Sequence, residues 1–346
     1  MMMTCDSTIH LVTSPAPLFL ESIALLRFGC PIMEKKPEDL QREFDVAIVG
    51  AGPAGLSAGI WLARFLHDVV IIDSGDPRNW EAQEVHGFLG FERVRPAELR
   101  GRGRQSCREY GATLLDAHIE RAYRHGPQRF ELLTDDDRTI QARRLLLTMG
   151  IHDDWPDIPG LDRCYGTTVH TCPNCDGYES QQTSTAVIGD GPKAISVALA
   201  LTTWTDQITI CTHGAPPRFD EATCETLERL QIEVITKPIE LLEEDHRQLQ
   251  SIHFADDHTL ECQHLFIAMG QHARDHIGAQ VGCNRDEYGF ITIDAHHHTS
   301  VWNVFAAGDI TPGAQLAIRA AAGGAEAALS IHHSLIPTER RVHRKC

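Results

Sequence analysis

The chain has 346 residues, 42% of them hydrophobic, enough for two domains of ordinary size with sizeable cores. A formal net charge of -17, with 20 histidines left neutral, excludes a general phosphate-backbone binder and opposes adsorption to anionic membranes, so neither nucleic acid nor a membrane is expected as partner. The 11 cysteines include one close pair, which is not a secreted disulfide framework and points to a reducing cytoplasm with mostly free thiols.

Residues 1–42 differ in character from the rest of the chain. The partly apolar stretch 11–30 is interrupted by Pro15, Pro17, Glu21 and Arg27. It is too broken for a membrane span of about 20 apolar residues, and it lacks a clear basic start and cleavage site for a signal peptide. It reads as a disordered extension, or as an over-long start with Met33 as the true first residue.

An apolar run over 44–49 ends at Gly50, a helical pattern continues to about 65, and a second apolar run fills 69–73. Strand, turn, helix and strand in this order open a doubly wound parallel sheet. The turn reads Gly50-Ala51-Gly52-Pro53-Ala54-Gly55, a G-x-G-x-x-G motif in the strand-to-helix context it requires. The first Gly allows the tight turn, the second admits a pyrophosphate against the backbone, and the third lets helix and strand pack closely. The helix start then faces the phosphates. Asp73 ends the next strand, where an acid hydrogen-bonds a ribose hydroxyl in such units.

An Arg-rich helix is expected near 97–110, β-like runs at 112–119 and 130–133, a strand at 145–150 and a linker over the Asp- and Pro-rich residues 153–160. Next comes Cys172-Pro173-Asn174-Cys175-Asp176-Gly177. Cysteines at this spacing can close a small disulfide, and a neighbouring carboxylate can carry the accompanying proton. Two other readings stand beside this one: half of a zinc site completed by residues such as His170 and Cys164, and two unreactive thiols.

The nucleotide-binding pattern then recurs, with strands at 185–188, 208–211 and 265–268 and a helix at 193–201. Gly189, Gly191 and Ala194 form G-x-G-x-x-A, a possible NAD(P) site that Pro192 weakens by removing one backbone N–H. A strand at 304–308 and a small-residue helix at 315–329 complete the first unit. The expected architecture is therefore α/β, with two Rossmann-like domains of the three-layer ββα type, the second inserted into the first. The expected boundaries are 43–153 and 276–335 for an FAD-binding domain, 154–275 for an NAD(P)-type domain carrying the cysteine pair, and 336–346 for a tail. His296, His297 and His298 read as a solvated loop rather than a metal site, because adjacent side chains do not converge easily.

Two segments identify the first cofactor by resemblance. Phe305-Ala306-Ala307-Gly308-Asp309 resembles the F-A-A-G-D segment of two-dinucleotide-fold flavoproteins, and Leu147-Thr148-Met149-Gly150 resembles their A-T-G segment. With C-x-x-C-D-G between the two nucleotide units, residues 43–333 resemble the low-molecular-weight thioredoxin reductases. The resemblance implies FAD held by Gly50, Gly52, Pro53, Ala54, Gly55, Asp73, Gly150, Gly308 and Asp309, with Arg78, His86, Ile119 and Gln315 completing the set. It implies Cys175 as the flavin-side thiol, Cys172 as the exchanging thiol and Asp176 as general acid/base. It also implies a homodimer, a second domain that rotates, and thioredoxin or a similar disulfide as substrate.

The chain departs from that family in two places. The H-R-R segment that grips the NADPH 2′-phosphate is replaced by Cys211-Thr212-His213-Gly214-Ala215-Pro216-Pro217-Arg218, and R-Q-A after F-A-A-G-D is replaced by T-P-G-A-Q-L-A over 311–317. The expected activity is thus FAD-dependent disulfide reduction with electrons from NAD(P)H or a protein donor such as ferredoxin. The alternative is a dithiol oxidase that passes electrons to oxygen.

Overall fold

The computed structural model describes residues 40, 42–274 and 276–340. The expectations for the extension 1–42 and for the last residues of the tail lie almost wholly outside them.

The first sheet grows from β1 (Glu43–Val49), whose Val/Ile/Ala run is buried on both faces, as a central parallel strand must be. Gly52 and Pro53 start α1 (Pro53–Arg64), and β2 (Val69–Asp73) returns beside β1 with Val46 opposite Val69. After β2 come α2 (Pro96–Glu109), β3 (Thr113–Asp116), β4 (Ile119–Arg124), β5 (Phe130–Thr134) and β6 (Thr139–Leu147). The single β-like run expected at 112–119 is corrected to the whole of one strand, β3, and the first residue of another, β4. The polypeptide leaves the parallel edge after Asp116 and enters an antiparallel pair at Ile119.

Next are β7 (Ile151–Asp153), α3 (Leu161–Cys164), β8 (Val169–His170) and the single helical turn α4 (Pro173–Asp176). The second sheet collects β8, β9 (Thr185–Ile188), β10 (Ile208–Cys211) and β11 (Glu233–Ile235), with α5 (Pro192–Leu201) and α6 (Glu221–Arg229) between them. The meander β12 (Ile239–Asp245), β13 (Gln248–Phe254) and β14 (Thr259–Glu261) precedes β15 (His264–Ile267) and β16 (Gln271–Ala273). The chain closes with α7 (His276–Val281), β17 (Val304–Ala306) and α8 (Ala317–Leu335).

The first sheet has seven strands in the order β3-β2-β1-β6-β5-β4, with β17 also paired to β6. The second has five, β11-β10-β9-β15-β8, all parallel. The architecture is α/β with two dinucleotide-binding sheets, as the motifs imply. The three-stranded meander and α6 were not expected. The meander alternates charged and apolar residues weakly, and its signal hides among Glu and Asp. The expected linker is partly ordered: β7 pairs antiparallel with β16, Asp153 opposite Gln271, so the chain crosses between the two sheets on a paired ribbon. No helix among the described residues is long and apolar enough to cross a membrane.

One face of the first sheet is packed by small residues. α1 presents Ala54, Ala58 and Ala63 with Leu62, and α8 presents Ala320, Ala327 and Ala328. The approach is closest at Gly324, where an added Cβ would fall 2.0 Å from the backbone oxygen of Ala54. Backbone cannot rotate out of the way as a side-chain tip can. Gly324→Ala should therefore destabilise the fold by about 1–3 kcal/mol, as overpacking of tight contacts does. Gly101→Ala, at a helical position with nothing within 4 Å of the added carbon, should instead stabilise by about 0.4–1 kcal/mol. Urea titration of the two variants checks the contrast; equal midpoints would contradict it.

Candidate functional site

The first glycine turn is forced by its neighbours. Gly50 has φ +101, and a Cβ there would meet the Thr148 backbone oxygen at 2.6 Å. A Cβ on Gly55 would lie 1.9 Å from the oxygen of Gly50. The Thr148 hydroxyl donates to the oxygens of Val49 (2.8 Å) and Gly50 (2.9 Å) and pins the turn against β6. Around Gly52, by contrast, there is nothing within 4 Å. Helix α1 begins at Gly52 without a side-chain cap, so its first-turn amides are available to an anion.

These residues open onto a cavity of about 640 Å³. Gly50, Gly52, Pro53, Ala54 and Asp73 line it, as do Arg78, His86, Ile119 and Gly150. Gly308, Asp309 and Gln315 line it from the far end of the chain. Cys172, Cys175 and Asp176 line the same cavity, so the structure brings together the two sets that the sequence motifs marked separately. Gly55 is buried in the helix–strand contact instead. Gly189, Gly191 and Ala194 are not part of the cavity lining.

Asp73 has more partners than expected. One carboxylate oxygen accepts the Ala51 amide at 3.1 Å, and the other accepts from Arg100 (3.0 Å) and Arg104 (3.1 Å). Arg78 is held by Asp153 through two bonds of 2.5 and 2.9 Å, by Gln315 at 2.9 Å and by Asp309 at 3.4 Å. Burial opposes the Arg78 charge, but the Asp153 hydrogen bond and charge outweigh it and raise its pKa. Asp309 is raised by burial in spite of Arg78, and its Oδ1 is buried with no partner among the described residues. An orphaned acceptor, an uncapped helix start and an open glycine together fit a ligand carrying hydroxyls and a diphosphate. FAD has both, and these residues suit it. Asp153, at the end of β7, carried no spacing signal in the sequence.

Cys172 and Cys175 are joined by a disulfide. Cys172 caps α4, whose single turn carries Cys175 and Asp176. Burial, then the charge of Glu179, pushes the Asp176 carboxyl up to about 7, while His86 works the other way. His86 is itself ringed by carboxylates: Glu92 at 3.1 Å, Glu179 at 3.5 Å and Glu84 at 3.8 Å. An acid that is half protonated near neutrality, next to a disulfide, can supply and take up the proton of thiol exchange. Cys107, Cys164, Cys211 and Cys262 are buried thiols outside any disulfide, and burial raises those of Cys107 and Cys164. They are small buried groups rather than reactive ones. Among the described residues no group of three or more His, Cys, Asp or Glu is arranged to hold a metal. His297 is turned inward onto the Ala306 oxygen and Glu326, away from His296 and His298.

An exposed ion pair stands over the second glycine turn. Arg218 reaches Asp190 at 2.7 Å, and a Cβ on Gly191 would lie 2.9 Å from the Arg218 guanidinium. The Thr212 hydroxyl donates to the Ala215 oxygen at 2.6 Å, and His213 Nδ1 accepts the Ile239 amide at 3.0 Å.

Residues 44–324 match the pyridine nucleotide-disulphide oxidoreductase family. The chain is 29% identical over 303 residues to a thioredoxin reductase of Helicobacter pylori, covering 83% of this chain and 97% of that protein. Among solved structures it is similar to HlmI, with a TM-score of 0.81 and 30% identity over 85% of this chain and 93% of the other. It is also similar to an oxidoreductase from Agrobacterium tumefaciens, with a TM-score of 0.75 and 30% identity over 85% and 98%.

The raised acid has a measurable cost. An unfolded Asp ionises near 3.8, whereas Asp176 in the fold keeps its proton to about 7. Between these values the unfolded chain releases a proton that the folded chain retains, so stability falls as pH rises, and above about 7 the loss is constant. Asp176→Asn should therefore unfold at higher denaturant concentration than the parent at pH 8, with the difference shrinking toward about pH 4. A lower midpoint for the variant at pH 8 would contradict this placement of the acid.

Proposed function

Because the chain belongs to the pyridine nucleotide-disulphide oxidoreductase family, we propose that it is an FAD-dependent disulfide reductase of the thioredoxin reductase type. Its Cys172–Cys175 pair would pass electrons to a protein disulfide such as that of thioredoxin. One observation carries the reading: the cysteine pair and Asp176 line the same cavity as the first glycine turn and Asp309. Bound FAD supplies a two-electron carrier beside a disulfide.

The chain's own residues account for the rest. In the reduced pair the Cys172 thiolate attacks one sulfur of the partner disulfide, whose S–S bond breaks to release a first thiolate. Cys175, as thiolate, then attacks Cys172, releases the second partner sulfur and closes the Cys172–Cys175 disulfide. The partner gains two electrons and two protons, and the pair loses them. Asp176 holds a proton within reach of this exchange and returns it to a departing sulfur.

We also propose 43–153 with 276–335 as the FAD unit and 154–275 as the inserted unit, supported by the pairing of Asp153 with Gln271 where the chain crosses. Residues 1–42 and 336–346 would flank them. A homodimer in the cytoplasm is the assembly and place that the family resemblance implies; sedimentation of the purified chain tests the first.

Cys172→Ser should abolish disulfide transfer with FAD still bound, and Cys175→Ser should stop electron passage into the pair. Asp176→Asn should slow the thiol–disulfide half-reaction by about 10²–10⁴. Turnover with thioredoxin is the measurement. Full turnover in both Ser variants would sink the assignment, and oxygen consumption driven by a dithiol in place of reductase turnover would favour the oxidase.

The second glycine turn bears on the choice of donor. A 2′-phosphate carries about two negative charges and is normally gripped by Arg forks. Here Thr212 and His213 are engaged internally, and Arg218 is already paired with Asp190, a carboxylate in the phosphate loop itself. Each missing charge-assisted bond costs about 1.5–3 kcal/mol, more than tenfold in affinity. NADPH is therefore expected to be a poor donor, and NADH or a protein such as ferredoxin a better one. Asp190→Ser, which frees Arg218, should lower the NADPH Michaelis constant about tenfold or more. A low-micromolar constant in the parent would show that other residues form the clamp.

A further inference from the structure

Asp176 touches one polar side chain whose role the exchange chemistry has not used. His170 ends β8 and sits two residues before Cys172. Its Nδ1 lies 3.5 Å from Asp176 Oδ1, and the side chain is 6% exposed. The ring stacks on His264 (centroids 5.8 Å apart) and leans on Phe266 (5.3 Å), both from β15. Its Nε2 is buried and has no hydrogen-bond partner among the described residues.

We propose that His170 is a positioning residue for Asp176, a neutral imidazole that holds the carboxyl beside the disulfide in both of its protonation states. The contact is not an ion pair. Burial, followed by His264 and His86, holds the imidazolium form off until about pH 3. A neutral ring can donate to a carboxylate through Nδ1–H, or accept from a carboxylic acid at the Nδ1 lone pair. The choice between the two is normally fixed by what the other ring nitrogen bonds. His297 shows the fixed case, with Nδ1 on the Ala306 oxygen and Nε2 on Glu326. At His170 no described residue engages Nε2, so neither tautomer is selected. An acid that must alternate between its two forms in every turnover needs a neighbour of that kind. A fixed donor would favour the carboxylate alone, and a fixed acceptor the acid alone.

Other groups bear on the same titration. Glu179 beyond α4 opposes ionisation of Asp176, His86 from the loop after β2 favours it, and Tyr165 feels its charge. His264 and His86 act on His170.

The inference rests on the reading of Asp176 as the proton carrier, and the test separates the two. The rate of the thiol–disulfide half-reaction is followed against pH in the FAD-loaded protein. Asp176→Asn should remove the inflection near neutrality; if it persists there, the reading of Asp176 fails. His170→Phe keeps the ring volume but loses both the donor to the carboxylate and the acceptor from the acid, so the rate should fall about tenfold on both sides of the inflection with FAD content unchanged. His170→Asn keeps a donor and an acceptor near the position of Nδ1 and should restore the parent profile. An inflection that vanishes in Asp176→Asn together with an unchanged rate in His170→Phe overturns the role of His170 alone, as does an equal loss of rate in the Phe and Asn variants. Nitrogen NMR of labelled histidine in the parent protein makes the same test without a core substitution. The His170 signals should change through the Asp176 titration while staying in the neutral-ring range. A signal that does not move, or that moves to the imidazolium position, overturns the proposal.

Discussion

A part-buried guanidinium ties the site together. Arg78 comes from the loop after β2, Asp153 from the crossing strand β7, Asp309 from the turn after β17 and Gln315 from the approach to α8. The Tyr165 hydroxyl donates to the Arg78 backbone oxygen at 3.3 Å, which adds the segment leading to the cysteine pair. Lys193, from the helix of the second glycine motif, reaches Gln271 at 3.0 Å and comes within 4.0 Å of Asp153. Burial lowers the Lys193 pKa, although Asp153 works against this. Of these charges Asp153 is buried, and losing its guanidinium partner would leave it uncompensated. Segments far apart in the chain are thus held in one arrangement around the cavity.

Inside that arrangement the acids are differentiated by their surroundings. Burial raises both Asp309 and Asp176, but Asp309 faces the Arg78 guanidinium, which works against the rise, and Asp153 takes two of that guanidinium's bonds, whereas Asp176 has no cation of comparable strength and is pushed up to about 7. The separation is useful chemically. The residues near the first glycine turn position one another through ion pairs and hydrogen bonds, while the residue beside the sulfurs can exchange a proton near neutral pH. The neutral His170 belongs to the same division of roles, since a second cation next to Asp176 would draw it back to the ionised state.

The two glycine turns show how little a shared motif says about occupancy. Both begin a helix with Gly followed by Pro, and both need their first glycine because a backbone oxygen stands in the way of a Cβ, Thr148 in one case and Ala268 in the other. The difference lies in what stands over the middle glycine. Gly52 faces open cavity, and Gly191 faces Arg218, which is anchored to Asp190. The proposal that NADPH is a poor donor rests on this one pairing, a property of two side chains rather than of the fold.

Local chemistry made much of this readable from the sequence. Apolar runs placed β1, β2, β9 and β10, with a glycine closing β1 and β9, because a strand buried on both faces needs nothing but apolar residues and, before a helix, a tight turn. The glycine spacing and the C-x-x-C-D-G segment marked both ends of the site for the same reason: their function depends on residues adjacent in the chain. The meander over β12–β14, the pairing of β7 with β16, and the partners of Arg78 were not readable in that way. Their stabilising contacts join residues far apart in sequence, such as Arg78 with Asp309, and each residue taken alone has the composition of a surface loop. The same holds for His170. Only the alignment of β8 beside β15 buries the ring and leaves one of its nitrogens against Asp176 and the other with no partner among the described residues, so its role was decided by tertiary packing.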